Sequence, residues 1–357
     1  MLSKNVRLKK RRRRSINVVT LHDVAKQAGV SPMTVSRFIG GNSNVRFAAR
    51  IQKAIDDLGY SPNAAARNLA SAGSLKIGLI YGNPSATFTS EFLVALLENS
   101  SGIGCQLLLE KCTSPNRHRS TAQKLIQRGA DGVILPTPLC DSAEIFQQFE
   151  EANVITVAVG TGREDARGLS VRIDNFGAAE QMTRFLLAQG HRDLGFILGH
   201  PKQIDTTQRF EGFAAALKAA GVSVRRDWVK QGLYTYQSGF LAAQQLLETK
   251  DRPTAIFASN DDMAAGALAA AHRRKLAVPE DLSIVGFDDT PLATTIWPSL
   301  TTVRQPVTEL TGLALEMLVD EIRRRREGNA PRLRQELVKL TLVKRESVAA
   351  PIFRDAR

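Results

Sequence analysis

The stretch from residue 20 to residue 39 constrains the fold more than any other, because it reads as two short helices joined by a tight turn. Val24, Ala25 and Ala28 recur at helical spacing and give the first helix an apolar stripe. Gly29 is expected to end that helix, since glycine readily takes the left-handed conformation found after helix C-termini. This pattern therefore predicts a compact helical pair near the start of the chain.

The second helix of the pair is predicted to start with Ser31 as N-cap and Pro32 in the first position. Val35, with Phe38 or Ile39, is expected to face the first helix. The outward-facing residues would then be Met33, Thr34, Ser36 and Arg37. This is the helix-turn-helix arrangement, whose second helix enters the major groove of DNA. The alternative is an ordinary helical hairpin in a core, but the position and surrounding charge of the pair favour DNA binding.

Charge is concentrated at the amino-terminal end of the chain. Residues 1–72 contain 14 lysines and arginines against 3 acidic residues, whereas the remaining residues contain 34 against 32. A basic module before a nearly neutral body favours a polyanion, most simply nucleic acid. Residues 1–19 form a basic arm, centred on Lys9–Arg14, that is expected to be disordered in isolation. Two interpretations of the arm stay open: a solvated tail, or extra phosphate contacts.

Two further helices are expected after the pair. A helix over residues 46–58 is predicted from apolar residues at helical spacing, namely Phe47, Ile51, Ile55 and Leu58. Ser61–Pro62 supplies an N-cap and a first position for a helix within residues 61–73. That segment is too short to be stable alone in water, so it is expected to form only against a partner.

From Leu75 onward, predicted strands and helices alternate, which indicates an α/β body with parallel sheets. The predicted strands cover residues 75–81, 105–110, 131–136, 154–159, 194–198, 254–258 and 282–287. The predicted helices cover residues 90–101, 119–128, 142–152, 176–189, 207–220, 236–248, 262–274 and 307–326. Because about 270 residues is long for one doubly wound domain, we expect two such subdomains. We place one at residues 74–174 and 304–336, and the other at residues 175–303 and 337–350.

Sequence motifs of enzymes are mostly absent. The chain has no GxxxxGK[ST] loop and no GxSxG turn, and its five histidines lack metal-ligand spacing. Two carboxylate pairs, Asp261–Asp262 and Asp288–Asp289, follow predicted strands and could serve acid–base chemistry. However, strand ends in α/β folds bind ligands whether or not chemistry follows. We therefore expect ligand binding rather than catalysis, with no cofactor and no metal.

The cysteines and the hydropathy pattern bear on the compartment. Cys105, Cys112 and Cys140 show neither metal-binding nor disulfide spacing, which indicates reduced thiols. No apolar run reaches the length of a membrane span, and no apolar stretch of a secretory signal follows the charged N-terminus. We therefore expect a cytoplasmic protein without a membrane partner.

A series of motifs in order along residues 18–350 resembles the lactose-repressor family of bacterial transcriptional regulators. The motifs are Leu21–Ala25, Thr34–Arg37, Gly59–Asn63, Leu69–Ala70, Asp131–Ile134, Gly190–Arg192, Arg209–Phe213, Ser259–Ala264, Val285–Asp289 and Pro298–Val303. The run Met33–Phe38 is more similar to the gluconate-repressor branch than to the lactose repressor itself. The resemblance implies an all-α helix-turn-helix domain at residues 20–60 and a hinge helix at residues 61–73. It also implies a periplasmic-binding-protein-like α/β core of two doubly wound subdomains at residues 74–350.

The resemblance further implies a homodimer bound to pseudo-palindromic, double-stranded operator DNA. Arg37 is the best candidate for reading bases, because a guanidinium pairs with both acceptors of guanine; Pro32 and Met33 match the other base-reading positions. Phosphate-contacting positions are matched by Thr20, Ser31, Thr34, Ser36, Asn42 and Asn44, and Leu21 and Tyr60 complete the set in this domain.

The hinge helix carries the last DNA-binding candidates, Asn63, Ala66 and Leu69, which match residues that dock in the minor groove. Leu69 resembles a wedge that kinks the central base step. The alternative is that Leu69 is a core residue of the linker.

In the core, the resemblance implies a cleft between the subdomains for a small effector, a sugar or a sugar acid. The candidate effector-binding residues are Phe88, Asp141, Arg209, Tyr234, Asn260 and Asp261. Aromatic faces combined with groups that bind hydroxyls suit a small polar ligand. Two alternatives stay open: Arg209 and Asp261 could form a structural ion pair, and Phe88 and Tyr234 could be core residues.

Together these observations predict a ligand-responsive repressor of carbohydrate-utilisation genes. Unequal binding of effector to two states of the core would bring the paired hinge helices together or separate them. A transport receptor with the same core is a rival, against which residues 20–70 and the missing signal peptide argue. A second rival is an enzyme with a fused DNA-binding domain, which turnover on sugars would reveal.

Overall fold

The computed structural model describes residues 19–39, 46–60, 74–112, 114–162, 168–249 and 251–352. The chain divides into two compact units, one ending at Ser74 and one beginning at Leu75. Each unit is described by itself below.

The amino-terminal unit contains three helices: α1 (Leu21–Ala28), α2 (Pro32–Ile39) and α3 (Ala48–Leu58). A capping box starts α1, in which the Asp23 carboxylate accepts from the Thr20 amide at 2.8 Å and the Thr20 hydroxyl accepts from the Asp23 amide. Gly29 ends α1 in the left-handed conformation, with a φ of 65°. The Ser31 hydroxyl accepts from the Thr34 amide at 3.2 Å at the start of α2. The predicted helix pair is therefore confirmed. Its caps stabilise both helices by satisfying backbone groups at the helix ends.

A small apolar core holds the three helices together. Its buried members are Val24, Ala25, Ala28, Val35, Ile51, Ala54 and Tyr60. Phe38 and Ile39 pack against this core while partly exposed. Phe47 does not join the core as its spacing suggested; it is exposed, has a φ of 73° and precedes the first residue of α3. The predicted start of the third helix at residue 46 is therefore two residues too early.

The second unit has α/β architecture with two parallel sheets, as predicted. The six-stranded sheet has the order β11-β5-β4-β3-β1-β2 and consists of β1 (Lys76–Tyr81), β2 (Gln106–Lys111), β3 (Gly132–Pro136), β4 (Ile155–Thr161), β5 (Leu169–Ile173) and β11 (Arg334–Val338). The four-stranded sheet has the order β7-β6-β8-β9 and consists of β6 (Leu194–Leu198), β7 (Val229–Gln231), β8 (Ala255–Ala258) and β9 (Ser283–Val285). A separate antiparallel pair joins β10 (Thr302–Arg304) to β12 (Thr341–Val343).

Helices flank both sheets. They are α4 (Ala86–Ser101), α5 (His118–Gln127), α6 (Ala143–Glu151), α7 (Asn175–Ala188), α8 (Ile204–Ala219), α9 (Tyr236–Leu247), α10 (Asp261–Arg273), α11 (Leu292–Thr295) and α12 (Val307–Arg326). Short 3₁₀ turns cover Pro115–Arg117, Leu139–Asp141 and Arg226–Trp228. The long α12 packs on the six-stranded sheet, where its Leu318 and Ile322 side chains lie over Gly132.

Five short strands were not predicted: β5, β7, β10, β11 and β12. Several of them mix apolar with charged or amide residues, as in Val229–Gln231 and Arg334–Val338, so they lack the continuous apolar run of a buried parallel strand. The expected subdomain boundary between residues 336 and 337 falls inside β11, which pairs with β5 along its whole length.

Helices α9 and α10 cross closely because glycine lies at their contact. A Cβ added to Gly266 would overlap the Tyr236 carbonyl oxygen, a backbone atom that cannot rotate away. This contact places the first turn of α9 beside α10, whose amino-terminal end carries Asn260 and Asp261. Among the described residues, no helix combines the length and the apolar composition that crossing a bilayer requires.

Candidate functional site

The outer surface of α2 carries the predicted DNA-reading residues. Met33 is 64% exposed and Arg37 is exposed, whereas Val35 is fully buried against the other helices. Pro32, Thr34 and Ser36 are partly exposed, and Thr20 and Ser31 are exposed. The predicted outward face of α2 is confirmed. The buried Val35 side chain fixes the rotation of the helix about its axis and thereby turns these residues outward.

Two other predicted DNA-binding residues contribute to the core of the amino-terminal unit. Tyr60 is 7% exposed and belongs to the apolar core, and Leu21 packs against that core. The structure therefore places Tyr60 away from the exposed reading surface, where its ring stabilises the three helices. Five predicted DNA-binding residues lie outside the described residues: Asn42, Asn44, Asn63, Ala66 and Leu69.

In the second unit, Arg209 on α8 lies at the centre of a buried polar cluster. Arg209 is 3% exposed, and its Nε donates to Asn175 Oδ1 at 2.9 Å. Its Nη1 donates to the Ser259 carbonyl oxygen and lies 3.8 Å from Asp288 Oδ1. The guanidinium carbon is 3.6 Å from the centroid of the Phe287 ring. The Arg209 guanidinium is thus held by two neutral oxygen acceptors, one carboxylate and one aromatic ring face.

Asp288 is the carboxylate partner of Arg209, and its backbone is unusual. Its φ is 114°, a conformation that residues with a side chain rarely adopt. Gln305 Nε2 donates to Asp288 Oδ1 at 2.6 Å. Burial raises the pKa of Asp288 to about 7, against the opposing effects of Arg209 and Gln305. The predicted carboxylate pair therefore contributes to the cluster, although Asp288 was not among the predicted effector-binding residues.

Tyr234 also joins the cluster and is 4% exposed. Its hydroxyl lies 2.8 Å from Thr206 Oγ1, and its ring centroid is 5.9 Å from the Arg209 guanidinium carbon. The ring packs on Gly199, where a Cβ would overlap it. Burial, together with the charge of Asp205, raises the pKa of the Tyr234 phenol well above its usual range. The structure thus brings together Tyr234 and Arg209, two of the predicted effector-binding residues.

Asn260 and Asp261 have structural contacts instead of open binding groups. The Asn260 side-chain oxygen Oδ1 caps α10 by accepting from the Met263 amide at 3.0 Å, and its side-chain Nδ2 donates to the Tyr234 carbonyl oxygen. Asp261 is fully buried, and its carboxylate accepts from the Thr290 amide at 2.8 Å and the Thr302 hydroxyl at 2.6 Å. The alternative in which Arg209 and Asp261 form a structural ion pair does not hold, since Arg209 pairs with Asp288.

Phe88 and Asp141 lie on the six-stranded side of this unit. Phe88 is buried in the main apolar core on α4 and lines a cavity of about 10 Å³ beside Asn83 and Thr137. Asp141 ends a 3₁₀ turn and accepts from the Thr161 hydroxyl at 2.9 Å. The structure therefore supports the alternative in which Phe88 is a core residue, and it places Asp141 in the turn that follows β3.

Hydrogen bonds link the two sheet layers at the carboxyl ends of their strands. Thr87 on α4 donates to Asp262 on α10 at 3.0 Å. Gln208 on α8 donates to the Gly162 carbonyl oxygen, just after β4, at 2.9 Å. Such strand ends form the usual ligand-binding cleft of α/β folds. The cluster residues that were not predicted, Asn175, Asp205 and Thr206, lie in the first turn of helices that follow strands, and this position was the available signal.

Glu91 on α4 gives a pH-dependent feature near this cleft. Its Oε2 is buried without a hydrogen-bond partner among the described residues. Burial, reinforced by the negative charge of Asp289, raises the pKa of Glu91 to about 7. Because this folded-state pKa lies above the unfolded value, the associated stability is complete near pH 4 and is lost as the pH rises toward 7.

We expect Glu91→Gln to stabilise the protein at pH 8 by about 1 kcal/mol, allowing for solvent screening of a half-buried group, and to change little at pH 5. Urea unfolding at both pH values measures the difference. Glu98→Gln on the exposed surface of the same helix is the control. Equal stability of Glu91→Gln and the parent chain at pH 8 would contradict the assignment.

The fold and these two surfaces define a class of protein: a helix-turn-helix module in the same chain as an α/β ligand-binding core. A model of the lacI family of bacterial regulatory proteins matches residues 20–63, and a model of the periplasmic binding protein-like domain matches residues 183–348. The HTH-type transcriptional repressor PurR of Pectobacterium atrosepticum is 36% identical over 354 residues, covering 95% of this chain and all of that protein. PurR of Erwinia tasmaniensis is 34% identical with the same coverage.

Solved structures agree with this match. The lac repressor dimer bound to operator and the anti-inducer ONPF has a TM-score of 0.76 and 26% identity, and covers 93% of this chain and 99% of that one. The complex of the transcriptional regulator CelR with cellobiose has a TM-score of 0.69 and 29% identity, and covers 92% of this chain and 99% of that one. The chain belongs to the lacI family and is a helix-turn-helix transcriptional regulator. The gluconate-type similarity of α2 stays a prediction.

Proposed function

We propose that this chain is a homodimeric repressor that binds a pseudo-palindromic, double-stranded operator through α2 and responds to a small polar effector in the cleft. The observation that carries the proposal is that one chain combines an outward-facing Arg37 with the buried polar cluster around Arg209. The solved lac repressor is a dimer on its operator, and the solved CelR holds cellobiose. These relatives support both an operator and a sugar-type effector. We expect the protein to act in the cytoplasm on carbohydrate-utilisation genes.

The proposed domain roles follow the expected boundaries. Residues 20–60 would read DNA, residues 61–73 would form the hinge helix, and the core from residue 74 would bind effector and dimerise. The contacts that join the two layers of the core, Thr87–Asp262 and Gln208–Gly162, would differ between two core states. An effector that binds these states unequally shifts their populations and thereby changes the affinity for operator.

We infer that the cleft binds its ligand without converting it. Both carboxylate pairs that could serve acid–base chemistry are held by protein groups. Asp261 accepts from two threonines, Asp262 accepts from Thr87, and Asp289 accepts from Arg304 Nε at 2.6 Å. Asp288, the remaining member of the two pairs, is held by Arg209 and Gln305, so all four carboxylates contribute to structure.

The proposed function is tested on the full chain with duplexes enriched by selection from a random library. Fluorescence anisotropy should show a two-fold symmetric consensus bound about a thousandfold more tightly than random DNA. Addition of the correct sugar should change that affinity by at least tenfold. Equal affinity for all duplexes across a range of salt concentrations would refute operator binding, and turnover of a sugar in the cleft would refute the binding-only role.

A further inference from the structure

The carboxyl-terminal end of α12 carries the densest positive charge of the second unit. Residues 323–334 contain six arginines and one acidic residue, although the chain beyond residue 72 is nearly neutral as a whole. Arg323, Arg325 and Arg326 are exposed in the last turn of the helix. The helix dipole favours cations at this end, but that effect is small and limited to the last turn. Since like charges three or four residues apart repel one another, these arginines exceed what the helix end requires.

This charge lies at the amino ends of the strands of the six-stranded sheet. Arg326 Nη2 donates to Asp131 Oδ1 at 2.7 Å, and Asp131 directly precedes β3. Asp131 Oδ2 accepts from the backbone amide of Lys76 at 2.7 Å, and Lys76 is the first residue of β1. The effector cleft lies at the carboxyl ends of the strands, so this surface is at the opposite edge of the sheet. It is also the edge at which the chain enters the second unit, at Leu75.

Four cations at this edge form what we call the basic surface, namely Lys76, Arg323, Arg325 and Arg326. The fully buried carboxylate of Glu321 accepts from Arg325 Nε at 2.9 Å, which leaves the terminal nitrogens of Arg325 without hydrogen-bond partners among the described residues. The side chain of Arg323 makes no ion pair within the described part of the core. Lys76 Nζ donates to a backbone carbonyl oxygen at 3.3 Å and not to a carboxylate. The basic surface therefore has N–H donors available for an added anion.

Acidic groups near this edge do not cancel the charge of the basic surface. They are Asp131, Glu150, Glu151, Asp320, Glu321 and Glu327. The two at the end of α6 lie on the opposite face of the sheet from α12, because α6 packs in a separate apolar cluster. Asp131, Asp320 and Glu321 each pair with at least one arginine, and Glu327 is exposed. At the end of α12, cations therefore outnumber carboxylates.

An anion would relieve the repulsion among these arginines, and duplex DNA is the polyanion that the proposed function supplies. Residues 61–74 connect the two units and can span at most about 50 Å when fully extended. A duplex carries one phosphate for about every 1.7 Å of its axis, so many phosphates lie on either side of the bases that α2 would read. Guanidinium groups pair well with phosphate oxygens.

We propose that the basic surface binds phosphates of the duplex that flanks the operator, so that the core is a second, sequence-independent DNA contact. This inference rests on the proposed function, because α2 must hold the duplex near the core. It goes beyond that function, because it assigns DNA binding to a surface outside residues 20–73. Phosphate contacts contribute affinity without reading bases, so the basic surface should strengthen binding to operator and random DNA alike.

Duplex length tests the inference on the full chain. Anisotropy titrations compare a duplex limited to the selected operator with one extended by about 20 random base pairs on each side, at about 0.1 M salt. The parent chain should bind the long duplex at least about fivefold more tightly. Arg323→Gln/Arg326→Gln should lose most of that gain and should bind the short duplex as the parent does. On the long duplex, this variant should also reduce the slope of affinity against salt by at least about one.

A matched control removes two cations from the end of another helix. In Arg273→Gln/Arg274→Gln, at the end of α10, one guanidinium is exposed and the other pairs with Glu248 at 2.8 Å. This control should bind both duplexes as the parent does. Arg323→Gln alone breaks no ion pair among the residues that the structure describes, so it should keep the parent melting temperature. It should lose about half of the gain from duplex length.

The outcomes separate this inference from the proposed function. A length-dependent gain that survives Arg323→Gln/Arg326→Gln would overturn the inference, and so would equal weakening on both duplexes or an equal loss in the control. Unchanged DNA affinities are also the result expected if the basic surface serves an acidic protein, and they would overturn the inference. A parent chain that binds the operator selectively but gains nothing from duplex length would contradict the inference alone. A parent chain that binds no duplex selectively would contradict the proposed function.

Discussion

Replacing Arg37 by alanine should weaken binding to the selected operator by about 10- to 100-fold and should have little effect on binding to random DNA. A guanidinium that pairs with both acceptors of guanine contributes about 1–3 kcal/mol of discrimination, and alanine removes that contact. Arg37 is exposed on α2, whose rotation is fixed by the buried Val35, so the substitution should leave the fold intact. Anisotropy titrations on both duplexes over a range of salt concentrations measure the two affinities. The slope of affinity against salt should fall by at most about one.

Two control variants separate base reading from charge. Lys53→Ala also removes one positive charge from the amino-terminal unit, but Lys53 is on α3 and pairs with Asp57 at 2.9 Å. It should bind both duplexes as the parent chain does. Arg37→Lys keeps the charge without the planar fork and should lose most of the discrimination. If Arg37→Ala weakened binding to both duplexes equally, Arg37 would be a phosphate contact and base reading would lie elsewhere.

Arg209→Met should abolish the response to effector and destabilise the core by about 2–4 kcal/mol. Methionine preserves much of the volume, but it leaves Asn175 Oδ1, the Ser259 carbonyl oxygen and the Asp288 carboxylate without their shared donor. Arg209 lowers the pKa of Asp288, so its loss should also favour the protonated carboxyl at neutral pH. Thermal unfolding should show a melting temperature lower by about 8 °C. Operator titration with the effector that acts on the parent chain should show no change in affinity.

Arg184→Met is the matched control, because Arg184 forms an exposed ion pair with Glu180 at 2.6 Å on α7. Exposed ion pairs contribute little to the free energy of unfolding, so that of Arg184→Met should stay within about 0.5 kcal/mol of the parent value. If Arg209→Met kept the stability and the effector response of the parent chain, the central role assigned to Arg209 in the cleft would be contradicted.

Local features were read correctly from the chain because their causes lie within one helical turn. The Ser31 N-cap, the left-handed Gly29 and the burial of Val35 each depend on residues three or four positions apart. The alternation of strands and helices likewise follows from hydrophobic spacing. It was sufficient to predict an α/β body with two parallel sheets. Strands of mixed composition, such as β7 and β11, were not predicted from the sequence. Pairing with neighbouring strands holds them in the sheet, and their own residues do not indicate that pairing.

The partners within the cleft could be decided only by the tertiary structure. Asp261 and Asp288 both follow strands and look equivalent in sequence, but only Asp288 lies beside Arg209, while Asp261 is held by Thr290 and Thr302. The same holds for Asp205, which looks like an ordinary polar residue at a helix start in the sequence but is buried in the folded chain. Sequence spacing determined which residues form each helix or strand and which side of it is apolar. The packing of distant segments determined which charge meets which partner, because electrostatic contact depends on separation in space and not on separation along the chain.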